Sequence, residues 1–188
     1  MPRLLIALPF ALLPLFAVAV HADEQVHAGL GTHEHGVAQL DAALDGSVLE
    51  LELRSPAMNL VGFEHPASSA EDQAKVAQMR KQLEQPLALF QLDSGAGCHV
   101  TTQTLQSPLF GDQMPSEQDD DGDGDDHQHS EVHAHYQLTC SHPAALHQLG
   151  LAPLFKTFPA TRRVQVQLIA PSGQQGLDAS AAAATLTF

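Results

Sequence analysis

The chain has 188 residues, 44% of them hydrophobic, with 22 Asp and Glu against 8 Lys and Arg and a formal net charge of −14 at pH 7. That apolar content excludes a disordered chain, and the length suits one modest domain. The negative charge excludes a nucleic-acid backbone or an anionic membrane surface as partner, because phosphate contact needs clustered Lys and Arg.

In chain order, Met1-Pro2-Arg3, the uncharged apolar run from Leu4 to Val20 and the small residues around Val20-His21-Ala22 predict a secretory signal peptide over residues 1–22. Pro9 and Pro14 interrupt the run, which is short for a membrane anchor, and no Cys follows it to carry a lipid. Residues 23–188 are therefore expected to be a soluble exported protein, periplasmic in a bacterium, without a membrane anchor. Export gives Cys98 and Cys140 a meaning. In an oxidising compartment an even pair without CxxC spacing reads as a structural disulfide.

Residues 23–32 read as an N-terminal arm. Alternation from His35 through Leu44, the Asp45-Gly46 turn and renewed alternation from Val48 to Leu53 predict a β-hairpin. Residues 57–67 form an apolar connection carrying His65. Ser68-Ser69 followed by Glu71-Asp72 starts a helix, Val76, Met79 and Leu83 recur on one face of it, and Pro86 interrupts it. A short apolar piece runs from Leu87 to Leu92, and Gly95 to Gly97 turn the chain.

Residues 98–106 and 131–140 are rich in β-formers and predict a second hairpin with Cys98 facing Cys140. Between them, 107–130 reads as a disordered Asp/His-rich insertion, acidic and without Lys or Arg over its second half. Pro143 opens a helical stretch with Gly150 as its cap, and Leu151 to Phe158 make a second apolar turn. Residues 162–169 alternate as a strand, 171–173 turn, and Thr185 to Phe188 end the chain as an edge strand. The fold class expected is α+β: a mainly antiparallel sheet with helices on one face, in a single domain.

Histidine is the unusual residue, at 12 copies. His33-Glu34-His35 stands at the mouth of the first strand, and His127-x-His129 and His133-x-His135 follow within nine residues. Residues two apart on a strand share a face, so His133 and His135 present their imidazoles together, with Glu131 beside them. Imidazoles from such pairs supply the three- or four-nitrogen shell that Zn²⁺ takes at about 2.0–2.1 Å. His65 reads equally as ligand or as core residue, His142 is ambiguous, and His99 and His147 read as ordinary polar residues.

Asp119, Asp121, Asp123 and Gly124 match the first positions of a calcium loop, but Ser130 falls where a bidentate Glu is required. Asp119, Asp121, Asp123 and His127 are better read as weak ligands that concentrate zinc beside a tighter site. Catalysis finds little support, since neither GxSxG nor HExxH occurs. A zinc-dependent periplasmic hydrolase stands as the alternative, because a three-histidine site leaves a position for water.

These stretches resemble a known family. His33-Glu-His-Gly36, Leu51 through His65 (LELRSPAMNLVGFEH), His129-Ser-Glu-Val-His133-Ala-His-Tyr136 with Cys140, and Leu154-Phe-Lys-Thr-Phe-Pro159 are similar to the ZrgA-like bacterial periplasmic zinc-binding proteins. The resemblance runs over about 33–188. It implies periplasmic zinc binding linked to an ABC-type importer and a variable His/Asp-rich insertion. By position it carries His33, His35, His65, His129, His133 and the Cys98/Cys140 pair onto family motifs, while His135 rests on strand geometry alone. The expectation is a non-enzymatic protein that captures Zn²⁺ for uptake or buffering.

Overall fold

A computed structural model describes residues 34–112 and 130–188, which fall in one compact unit. The expected signal peptide and arm, His33 and the stretch carrying Asp119, Asp121, Asp123, His127 and His129 lie outside them.

The first hairpin forms where alternation places it. β1 (Val37–Asp45) and β2 (Val48–Pro56) pair antiparallel with Asp45 opposite Val48. Gly46 takes the first turn position at φ +57°, a conformation that glycine adopts without strain. β4 (Cys98–Gln106) and β5 (Glu131–Cys140) form the second pair, with Cys98 opposite Cys140 and the two joined by a disulfide. β5 then lies antiparallel against β2, with Arg54 opposite His133 and Pro56 opposite Glu131.

β7 (Arg163–Ala170) lies parallel to β1, and β8 (Gly173–Ser180) returns beside it. The resulting six-stranded sheet runs β4-β5-β2-β1-β7-β8. It is mainly antiparallel, with one parallel seam. A smaller sheet joins β3 (Gln91–Leu92), β6 (Gln148–Gly150) and β9 (Thr185–Thr187), the last at its edge.

Period two divides the large sheet into two faces. Leu40, Leu51, Leu53, Tyr136, Leu138, Val166 and Leu168 are buried on one; Gln39, Asp41, Glu52, His135 and Gln167 lie on the other, between half-buried and exposed. Helices cover the apolar face. α1 (Ala57–Val61), α2 (Ala70–Leu83), α3 (Pro86–Leu89) and α4 (Ala152–Thr157) all add buried side chains to its core.

α2 starts at Ser69, whose Oγ accepts the Asp72 N–H at 3.0 Å, and buries Val76, Met79 and Leu83 as their spacing dictates. Glu71 and Asp72 in its first turn and Arg80 and Lys81 in its last oppose the helix dipole. Tyr136 links sheet to helix: its buried hydroxyl donates to the Leu83 carbonyl at 2.8 Å, and burial pushes the phenol's pKa upward.

Four local readings change. The connection after β2 contains α1, only five residues long and so without a helical period to read. Gly150 is a buried strand residue of β6 rather than a helix cap, and Pro143–Ala145 makes a single 3₁₀ turn instead of opening a helix. Leu151 to Phe158 contains the helix α4. β8 was not foreseen, because GQQGLDAS is polar and glycine-bearing, and its ladder to β7 holds it rather than any periodic burial.

Candidate metal centre

One end of the large sheet gathers histidine-bearing segments: the start of β1, the loop that follows α1, and the start of β5. Pro56 ends β2, cannot continue the ladder as a donor, and leads into α1. Gly62, at φ +85°, terminates α1 in the left-handed conformation and turns the chain into Phe63-Glu64-His65. The buried Asn59 amide on α1 accepts the Gly36 N–H at 2.6 Å and donates to the Val37 carbonyl at 2.8 Å, fixing the entry to β1.

Ser130 ties in the third segment. Its carbonyl accepts the Ala57 N–H at 2.8 Å, and its hydroxyl donates to the Glu64 carbonyl at 2.9 Å.

The imidazoles are oriented by oxygens. His35 Nε2 lies 3.2 Å from Glu64 Oε1, and His133 Nε2 lies 2.7 Å from Glu131 Oε2. His65 stacks on Phe63 with ring centroids 4.6 Å apart, and its Nδ1 lies 3.1 Å from the Pro66 carbonyl. Carboxylates and carbonyls only accept, so in the two hydrogen bonds, His133 to Glu131 and His65 to Pro66, the named ring nitrogen carries the proton and donates, while His35 and Glu64 stand at ion-pair distance. When these two rings are neutral, the opposite nitrogen, Nδ1 of His133 and Nε2 of His65, holds a lone pair, the state in which imidazole binds a metal. Metal-ligating histidines recur in this arrangement, one nitrogen fixed by an oxygen and the other on the ion.

Burial sorts the partners. The Glu64 side chain is 13% exposed and Glu131 25%, whereas His35 is 54% exposed. At His35 the ring reaches outward past its sheltered partner, whereas His133 is about as sheltered as Glu131, at 29% against 25%.

His35, Glu64, His65, Glu131 and His133 are thus brought to one end of the sheet. His135 lies on the same face of β5 as His133 but one step further from that end, exposed, opposite Glu52 and Thr104. Among the described residues no group of three or more His, Cys, Asp and Glu is arranged closely enough to hold a metal ion. His33 and His129 are outside the described set; each is covalently bonded to a described residue of this end, Glu34 and Ser130. Asp119, Asp121, Asp123 and His127 also fall outside it.

The remaining described histidines sit elsewhere. His99 is on β4 opposite Thr139, His142 hydrogen-bonds Ala96 through its backbone, and the backbone N–H of His147 donates to Asp93 Oδ2 at 2.7 Å. Cys98 and Cys140 are joined at the far end of the β4–β5 pair.

The donor set is imidazole with carboxylate, the nitrogen and oxygen chemistry that suits Zn²⁺. The family model described as "ZrgA family zinc uptake protein" matches residues 32–188. The chain belongs to this family. No curated protein matches it. Membership in the ZrgA family gives the chain a role connected with zinc, and uptake of an ion requires no catalysis. Among the described residues of this ZrgA protein, no helix is long and apolar enough to cross a membrane.

Two kinds of residue escaped sequence reasoning. Glu64 and Asn59 sit inside the family-specific SPAMNLVGFEH stretch, where a polar residue within an apolar run was the available signal. Ser130 was assigned to the insertion, although it is 5% exposed and bonded to two segments.

Proposed function

We propose that this protein captures Zn²⁺ in the periplasm and delivers it to an ABC-type importer or buffers it, with the ion held as cargo at the histidine end of the large sheet. The ligands would come from His33, His35, His65, His129 and His133, with His135 next on the same face. The observation that supports this reading is that the segments bearing His35, His65 and His133 are tied together at one end of the large sheet by the hydrogen bonds of Asn59 and Ser130. Residues 1–22 would direct export, and Asp119, Asp121, Asp123 and His127 would form a weaker capture tract feeding this end.

Zinc titration against a competing chromophoric chelator tests the proposal. The expected result is one tight component and a weaker one. The double replacement of His33 and His35 by Ala, and separately that of His133 and His135, should each weaken the tight component. Deleting 116–128 should remove the weak component alone. Absence of any tight zinc binding, or a tight component indifferent to both double replacements, overturns the reading.

A further inference from the structure

We infer that Asn59 and Ser130 are positioning residues of the zinc-capture end: neither is offered as a ligand, and together they hold the three histidine-bearing segments in register. The inference rests on the proposed zinc site and assigns a task to the part of the SPAMNLVGFEH motif that ligand chemistry leaves unexplained.

The buried Asn59 side chain is saturated. Its Oδ1 takes the Gly36 N–H at 2.6 Å, while Nδ2 donates to the Val37 carbonyl at 2.8 Å and to Ser55 Oγ at 3.2 Å. An amide alone among small side chains offers one acceptor and two donors in that fork. Aspartate has the same shape but no donor, and glutamine adds a methylene in a close-packed place.

The segment so gripped is the one that carries His35. Gly36 sits at φ +90°, and a Cβ there would come within 2.4 Å of Arg162 Nε. Arg162 in turn donates from Nη2 to the His35 carbonyl at 2.9 Å. His35 is therefore held from both sides, by the α1 amide and by the arginine that precedes β7.

Ser130 performs the matching task for the other two segments. Its hydroxyl donates to the Glu64 carbonyl, next to His65, and its carbonyl receives the Ala57 N–H at the start of the helix that carries Asn59. From Ser130 the chain enters β5 and reaches His133 three residues later. A five-residue helix with one buried amide and one serine thus forms the joint between all three segments. No bond in this joint involves an imidazole, so its effect on zinc runs through placement.

The test uses the full mature chain with Asn59→Asp, Ser130→Ala and Ser130→Thr, measuring zinc affinity by chelator competition well below each variant's own melting temperature. Asn59→Asp and Ser130→Ala should each raise the tight-site Kd by about tenfold or more, the scale of one or two lost hydrogen bonds. Ser130→Thr, which keeps the hydroxyl, should lie nearer the parent protein. A double-mutant cycle of Asn59→Asp with His35→Ala separates placement from bulk stability. If Asn59 acts through His35, its substitution costs much less affinity once His35 is gone.

Folded Asn59→Asp and Ser130→Ala proteins that bind zinc as the parent does, or a strictly additive cycle, overturn the inference while leaving the zinc site standing. A parent protein without tight zinc binding overturns the reading beneath it.

Discussion

The two ends of the β4–β5 pair are built by opposite means. At one, Cys98 and Cys140 face each other and are covalently joined. At the other, Ser130, Glu131 and His133 are held to α1, to the loop after it and to each other by hydrogen bonds and an ion pair. Cys140 and His133 are seven residues apart in sequence, about 23 Å along an extended strand. The staple therefore secures the scaffold at a distance from the groups proposed to meet the ion. The proposed metal-capturing end is left to reversible bonds, and the covalent link is kept away from it.

Acid should part the two ends most sharply. Protons compete with zinc for imidazole nitrogen, so affinity falls as pH falls. With three imidazole ligands the loss is about tenfold per ligand per pH unit below the ordinary imidazole range near 6.5, or roughly a thousandfold over one unit. A site of carboxylates alone would barely change there, since these stay ionised to about pH 4–5. Titrations at pH 7.5 and 5.5 that give nearly equal affinity would remove the distinction between the ends.

Breaking the covalent end should act on stability instead. The cysteines are 42 residues apart in sequence, and in the chain-entropy model opening such a loop costs about 3–4 kcal/mol. Denaturant midpoints of the parent and the double Cys98→Ala, Cys140→Ala protein measure this. Zinc affinity of the folded variant should stay within about twofold, as expected of sites this far apart. The native protein should contain no titratable thiol.

Between the ends, Tyr136→Phe leaves the Leu83 carbonyl without its donor and should cost about 1–3 kcal/mol of stability. It should also change the alkaline limb. Burial raises the phenol's pKa in the folded state, so its contribution is complete below the ordinary value near 10 and is lost as pH rises above it. The parent should lose stability above pH 10 more steeply than Tyr136→Phe. On the open face, the half-exposed Arg54–Asp41 pair is the smallest lever, and Asp41→Asn should cost less than about 1 kcal/mol.

What could be read in advance follows the same division. β1, β2 and β7 announce themselves by period two, β4 and β5 by their β-forming residues, α2 by Ser69, its apolar spacing and Pro86, and the disulfide by two cysteines at matching strand ends. These are local signals, or covalent ones. The pairing of β1 with β7 leaves no local trace, since either neighbour would satisfy the same alternation. α1 is too short to show a period, and β8 is held by its backbone. The histidines stood out by type and spacing. Their supports did not, because Asn59 bonds Gly36 across 23 residues and Ser130 bonds Glu64 across 66. Sequence shows which side chains carry chemistry more readily than which ones hold them still.

The parallel seam has a kinetic consequence. Val37 stands opposite Arg163, so β1 waits for a partner from near the far end of the chain. The hairpins β1–β2 and β7–β8 are local and can close on the order of microseconds, while contacts of such long range come late. Arg162, the residue before β7, also braces His35. The histidine end is thus among the last places to be finished. In a refolding experiment started with zinc present, tight binding should appear with the slowest phase, and a half-folded chain should leave the ion free in solution.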